Sequence, residues 1–367
     1  MPDRPIRLLT LVQKEPGRAP HQRFRFEQWA SHLERDHDVT LEFAAFESPE
    51  LSDVLYASGA WARKARLLLR DGIRRLDVLR RAREFDGIIV QREATMLGGA
   101  YLERALAGPL GKPLIYDFDD AIWQVAPSGP NGLASLVRAP WKVGSICRRA
   151  SAVTVGNDFL ASFARQYNDS VHIVRTSIDT GAYAPLPHPG QDEPFTIAWT
   201  GSHTTLAHLA RLRSAIAMVA AARPTRLLVI CDVPPTEMGG VPVDFVKWTP
   251  ANEALALAPA HVGVMPLPDT LSARGKCGCK ALQYMAVERP AVASPVGINS
   301  EIIVPGVNGQ LASSDDEWVR HLLQLAADPE GRARMGRAGR ATVLASYSAA
   351  AAAASFAAVV RAVVPAP

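Results

Sequence analysis

Two series of short apolar runs, separated from one another by helical patterns, most limit what this chain can fold into. In the first half the runs are Ile6 to Val12, Val39 to Phe46, Gly87 to Gln91, Pro113 to Phe118 and Ala152 to Val155. In the second they are Thr196 to Trp199, Leu227 to Cys231, Asp244 to Lys247, Val262 to Met265 and Ala291 to Ser294. Gln22 to Glu34 reads as the helix after the first strand. Strands alternating with helices build parallel sheets covered on both faces. Between the two series lies Ala184-Pro185-Leu186-Pro187-His188-Pro189-Gly190. Such a proline-rich stretch continues neither a helix nor a central strand. The expected organisation is therefore an α/β domain over 1–184, a linker over 185–194 and a second α/β domain over 195–347. An Ala-rich helix follows within 348–367. At 367 residues the chain has ample length for two cores.

The most chemically specific stretch is Lys276-Cys277-Gly278-Cys279-Lys280-Ala281-Leu282-Gln283-Tyr284-Met285-Ala286, followed by Arg289-Pro290-Ala291-Val292-Ala293-Ser294-Pro295-Val296-Gly297. A polar loop with a glycine runs into a helix, and a proline then introduces a short apolar strand. The free N–H groups and the dipole of a helix start both favour an anion such as a diphosphate. Lys276 and Lys280 bring two positive charges to that end. Glu301 opens a further helix and Asn308-Gly309 a turn.

This succession resembles the donor half of GT-B glycosyltransferases, specifically the large retaining family four. The resemblance covers Leu282, Met285-Ala286, the Pro290-to-Ser294 strand, Gly297, Glu301 and Asn308-Gly309. The form Lys-x-Gly-x-Lys-x-x-Gln-Tyr-Met-Ala places the chain in a subgroup. Two glutamates usual in the family, eight positions apart, fall on Gly275 and Gln283. Gln283 retains the capacity to hydrogen-bond a donor ribose, whereas Gly275 cannot hold sugar hydroxyls. The resemblance implies two Rossmann-like domains facing a cleft, with the terminal helix crossing back to the N-terminal domain. It also implies transfer from a nucleoside-diphosphate sugar with retention of configuration, without a metal or a further cofactor.

Trp199-Thr200-Gly201-Ser202-His203-Thr204-Thr205 follows the first strand of the second half. Gly201 allows close backbone approach to a ligand, and Thr204 or Thr205 is placed to cap the next helix. Ser202 stands where the family has an arginine, so the diphosphate charge is expected to fall on Lys276 and Lys280. Gly278, Cys277 and Cys279 belong to the same donor loop, and Cys-x-Cys without a second pair is weak as a metal signal. Trp248 follows a strand end and either flanks the base or packs in the core. Asp117-Phe118-Asp119-Asp120 ends the fourth strand. It reads as a sugar-contacting position at Asp119, as a metal-binding Asp-x-Asp, or as a helix cap at Asp120. Arg23 and Arg25, in the loop after the first strand, suit an anionic acceptor or the donor phosphate, or lie on the surface. His21 is a proton-handling candidate by position. Asp119 and Lys280 are the catalytic candidates; His21, Arg23, Arg25 and Asp117 are the acceptor or cleft candidates.

Composition sets the class. Hydrophobic content of 48%, with 21% charged residues and a net charge of +4, suits a soluble enzyme and no nucleic-acid partner. The four cysteines form no framework and fit a reducing cytoplasm. No apolar run is long enough to span a bilayer and no signal peptide is evident. Abundant Ala and Arg suggest a bacterial source with a GC-rich genome. Residues 61–83 carry nine basic side chains against two acidic ones, with Leu67, Leu68, Leu69, Ile73, Leu76 and Leu79 as an apolar stripe. Such a helix suits either a solvated face or peripheral contact with the inner membrane surface. The acceptor is then a lipid-linked sugar, a glycan or a small metabolite. Alternative functions are a nucleotide-sugar epimerase of the same fold, and a noncatalytic partner subunit or sugar sensor.

Overall fold

The computed structural model describes residues 4–55, 57, 59–96, 98–124, 139–190 and 193–366. Each half forms a six-stranded sheet. The first contains β1 (Ile6–Val12), β2 (Val39–Ala45), β3 (Gly87–Gln91), β4 (Leu114–Phe118), β5 (Ala152–Val155) and β6 (Val171–Ile173), in the order β2-β1-β3-β4-β5-β6. The second contains β7 (Phe195–Thr200), β8 (Thr225–Cys231), β9 (Val243–Lys247), β10 (Val262–Met265), β11 (Ala291–Ala293) and β12 (Gly309–Leu311), in the order β12-β11-β10-β7-β8-β9. All pairings are parallel. Ten strands occur where the apolar runs predict them. The edge strands β6 and β12 escape that reading because each is short and has a polar residue at its centre, His172 and Gln310. The strand order reverses beside β1 in the first sheet and beside β7 in the second. Such switch points leave a crevice at the carboxyl ends of the strands.

The chain divides into two compact units, Met1–Thr176 with Ala352–Pro367, and Ser177–Ala351. The proline-rich stretch 184–190 has no regular structure and lies within the second unit. Tyr183, just before it, is buried there, and its carbonyl accepts from Arg340 at 2.7 Å. Helix Ala349–Val363 carries the chain from the second unit into the first. There Phe356 meets Phe26 and Trp29 at centroid distances of 5.4 and 5.7 Å.

The helix expected after β1 is interrupted. Pro20–Gln22 leads into a π turn at Arg23–Glu27, and Gln28–His37 completes it. The π turn buries three successive residues, Phe24, Arg25 and Phe26. Helix Trp61–Arg75 also departs from expectation. Lys64, Asp71 and Arg75 turn inward with Leu67, while Leu69, Ile73 and Leu76 are exposed. The expected apolar packing stripe is therefore split between the two faces. The surface charge of 61–83 is also smaller than its composition suggests. Arg75 is buried against the carbonyls of Val12, Ala44 and Ala94, and Arg81 pairs with Glu42.

In the second unit, helix Cys279–Ala286 is enclosed, with every residue from Ala281 to Ala286 buried. Tyr284 holds it to the sheet. Its hydroxyl accepts the Thr200 N–H at 2.9 Å and donates to the Val264 carbonyl at 3.3 Å, joining the ends of β7 and β10. Gly263 makes room for the ring, since a Cβ there would lie 2.1 Å from it. On its other side the helix meets Pro329–Ser346, where Gly336 and Gly339 allow close approach to Glu288 and Met285. Replacing Tyr284 by Phe leaves the Thr200 N–H without its acceptor inside the protein. Tyr284→Phe is therefore expected to cost about 1–3 kcal/mol in stability. Chemical denaturation measures this, and an unchanged midpoint would show that the hydroxyl is not a structural tie.

Candidate functional site

At the switch point of the second sheet, β7 ends at Thr200 and leads into Gly201, Ser202 and His203. Gly201 is required by packing rather than by ligand approach, because a Cβ would meet the Trp199 ring at 2.3 Å. Thr205 occupies the N-cap position of helix Leu206–Ala210, without a side-chain cap bond, and the short turn His203–Thr205 before it is capped by Ser202. The Ser202 N–H donates to the Thr205 hydroxyl at 3.2 Å. The Lys280 ammonium stands over the Trp199 ring, 5.5 Å from its centroid. Lys280 is half-buried, and burial pushes its pKa down to about 8, with the charge of Lys276 adding to the effect.

The helix bearing Lys280 starts at Gly278, whose φ of 72° favours glycine. A Cβ there would also lie 2.2 Å from Ile302. In the first turn the N–H groups of Lys280 and Ala281 point out of the helix end without an acceptor within it. Lys276, on the loop before, is half-buried. The arrangement has the chemistry that favours an anion: dipole, main-chain donors and two lysines at one end of a buried helix. Cys277 is buried and its thiol lies 3.7 Å from the Gly275 carbonyl, while Cys279 is half-buried.

Three residues beside this site went unread in the sequence. Asp232, directly after β8, accepts from the His203 N–H at 2.6 Å and also holds its imidazole Nδ1. Glu253, buried, accepts from the Trp248 indole N–H at 3.1 Å. Tyr183 accepts from the Gln283 amide at 2.6 Å. Burial and the neighbouring Glu253 raise the Tyr183 hydroxyl pKa far above its ordinary value, so it stays protonated. Trp248 and Gln283 thus end in a shared polar cluster. Asp232 was legible as an acid at a strand end, whereas Tyr183 is brought in from before the proline-rich stretch.

The first unit keeps the remaining candidates apart. Arg25 and Asp117 are both fully buried and pair with each other, so neither faces a ligand as expected. Thr154 donates to the same carboxylate at 2.7 Å and Arg25 also reaches the Val174 carbonyl. Burial raises the Asp117 pKa against the opposing pull of Arg25. Arg23 is half-buried, with its guanidinium 4.6 Å from the Phe24 ring centroid. Asp119 is engaged by Arg92 at 2.7 and 2.9 Å. Burial opposes its ionisation, but Arg92 outweighs this and its pKa is lowered. Asp120 accepts from the Ala121 N–H at 3.0 Å, and no helix starts there among the described residues. His21 lies beside this pair. Its Nε2 is buried without a hydrogen-bond partner. Burial pushes its pKa down to about 3, helped by Arg92, so the ring is neutral. Arg92, just past β3, has φ of 60°, a left-handed conformation costly for a side-chain-bearing residue. His21, Arg92 and Asp119 therefore form a group at the carboxyl ends of β1, β3 and β4. Among the described residues no cluster of three or more potential metal ligands occurs.

Residues 194–328 match the family model described as Glycosyl transferases group 1. The fold is GT-B. A sucrose-phosphate synthase from Thermosynechococcus elongatus superposes with a TM-score of 0.68 at 16% identity, over 98% of this chain and 99% of that one. HepE from Anabaena, solved with UDP and glucose, gives 0.66 at 14% identity, over 97% and 100%. A glycosyltransferase from Rickettsia africae gives 0.67 at 10% identity, over 98% of each chain. No curated protein matches the chain by sequence. The residues matched by that family model span the loop 276–278, Asp232, Glu253 and the whole of helix Cys279–Ala286.

A diphosphate bound at this helix start would meet a Lys280 whose lowered pKa makes the binding pH-dependent. In the free protein Lys280 loses its proton above about 8. A bound anion favours the charged form, so binding at higher pH takes up a proton and affinity falls as pH rises. Calorimetry with nucleoside diphosphates in buffers of different ionisation enthalpy should show proton uptake near pH 9, absent in Lys280→Met. Equal uptake in both proteins would remove Lys280 from the site. The Arg25–Asp117 pair tests separately. Arg25→Met leaves a buried carboxylate and should cost about 3–5 kcal/mol. A variant of wild-type stability would mean that the arginine is not a structural partner.

Proposed function

We propose that this chain is a glycosyltransferase that moves a hexosyl group from a nucleoside-diphosphate sugar to an acceptor hydroxyl, with retention of configuration and without a metal. The observation that carries the reading is the Lys280 ammonium at the start of the buried helix Cys279–Ala286, with Lys276 on the preceding loop. The family match over 194–328 supports it. HepE, a GT-B protein of the same fold, was solved with UDP-glucose, which makes UDP-sugars the first donors to try.

In this reading the second unit binds the donor. Gln283 meets the ribose, Trp248 flanks the base, and His203 and Ser202 line the diphosphate with the helix N–H groups. As the anomeric C–O bond breaks, negative charge grows on the leaving diphosphate, where lysines and N–H groups already point. The acceptor oxygen bonds to the anomeric carbon from the face that the diphosphate leaves. Its proton passes to the departing phosphate oxygen, so no separate protein base is needed. The first unit supplies the acceptor contacts, with Asp119, Arg92 and neutral His21 as its polar group. The acceptor is a lipid-linked sugar, a glycan or a small metabolite.

The test is turnover of UDP-sugars with a panel of hydroxyl acceptors in EDTA, followed by proton NMR of the product. Acceptor-dependent UDP release should persist in EDTA, and the product should keep the donor's anomeric configuration. Lys280→Ala should weaken UDP binding by about 1.5–3 kcal/mol, the range for a charge-assisted hydrogen bond. Activity lost in EDTA and restored by manganese would assign the acidic residues to a cation. Absence of both transfer and donor hydrolysis would favour a binding or partner role.

A further inference from the structure

Helix Trp61–Arg75 is turned inside out for a helix covering a sheet. Its inner face carries Lys64, Leu67, Asp71 and Arg75, all buried. The polar members are fixed in place. Lys64 donates to the Ala57 carbonyl, and Asp71 accepts from the Ser48 N–H at 2.8 Å. Arg75 donates to the Val12, Ala44 and Ala94 carbonyls at 2.9, 2.6 and 2.7 Å. The helix therefore cannot roll to hide its outer face. That face carries Ala62, Ala65, Leu69 and Ile73, whose spacing of three or four residues aligns them on one side. Leu76 continues the ridge past the helix end. Trp61 is 74% exposed, Leu69 67%, Ile73 61% and Leu76 55%. Arg63, Arg66, Arg70 and Arg74, at the same spacing, form an exposed row along one flank. Among the described residues Arg63 and Arg66 have no carboxylate partner.

We infer that this face docks on an anionic lipid bilayer, with the apolar ridge entering the acyl boundary and Arg63 and Arg66 meeting headgroup phosphates, while Arg70 and Arg74 are held by Glu50 and the Phe46 carbonyl. An exposed apolar ridge over several turns, rimmed by charge, marks an interaction surface. The charge decides its occupant. A second copy would bring its own arginine row into the same contact and bury like charges. An anionic bilayer satisfies both elements: it accepts leucine and isoleucine below its headgroups, tryptophan at the interface, and guanidinium at the phosphates. The inference narrows the acceptor of the proposed reaction to one presented at a lipid surface, and rests on that reading for this step alone.

The test is co-sedimentation of the full chain with phosphatidylcholine vesicles, with and without phosphatidylglycerol, at low and high salt. Binding should require phosphatidylglycerol and weaken with salt. Leu69→Gln/Ile73→Gln should lower partitioning about tenfold or more. Arg63→Gln/Arg66→Gln should lower it about as much and blunt its salt dependence. Both variants change outward-facing residues and should keep wild-type circular dichroism and UDP affinity. Wild-type protein left in the supernatant at low salt overturns the inference, as does a Leu69→Gln/Ile73→Gln variant that pellets like wild type. A wild-type dimer that the same double substitution dissolves, seen by light scattering, would give the face to a second copy instead. Failure to bind any nucleotide alongside intact vesicle binding would overturn the glycosyltransferase reading and leave the docking face standing.

Discussion

The Tyr284 hydroxyl is the tie on which the candidate donor site depends. It closes the ends of β7 and β10 with one accepted and one donated hydrogen bond, inside the core. Three features of the sequence follow from it. Gly263 must lack a side chain, because the ring occupies that space. Thr200 must end its strand there, which sets where the Gly201–His203 loop begins. The helix must present Lys280 one turn earlier, which sets its ammonium over the Trp199 ring. An aromatic residue in the middle of a motif thus acts as a spacer that fixes the distance between a loop and a helix end.

The two lysines show how a positive site can be built without the usual arginine. A half-buried ammonium near a second cation is costly when empty, which is why the Lys280 pKa falls to about 8. The cost is offset when an anion arrives. The aromatic face beneath it steadies the charge in the meantime. In the first unit the opposite solution holds. Arg25 and Asp117 pair with each other, with Thr154 and the Val174 carbonyl as further partners, and leave no net charge to offer.

The architecture was legible because most strand-forming runs in parallel sheets are continuously apolar, and ten of the twelve strands among the described residues stood out, Val39–Ala45 and Val243–Lys247 despite polar residues within them. The start of helix Cys279–Ala286 was legible because a glycine and a polar loop before an apolar pattern carry a local signature. Burial of charged residues was not legible. Arg25 and Arg75 look in sequence like any surface arginine, and only the π turn and the inward face of helix Trp61–Arg75 reveal where they go. Tyr183 was missed for a related reason: it acts through Gln283, a hundred positions away, which spacing cannot report.

The position of Tyr183 also bears on how the molecule can be divided. It precedes the proline-rich stretch, yet its ring plugs the cluster of Gln283 and Glu253, and Arg340 grips its carbonyl. Arg289 holds the carbonyls of Leu186 and Pro187 in the same way, at 3.2 and 2.5 Å. A stretch that reads as a tether is thus a strap sewn onto the second unit. A fragment begun at Phe195 would carry an intact sheet with a hole beside Gln283, whereas one begun at Ser177 would keep the plug.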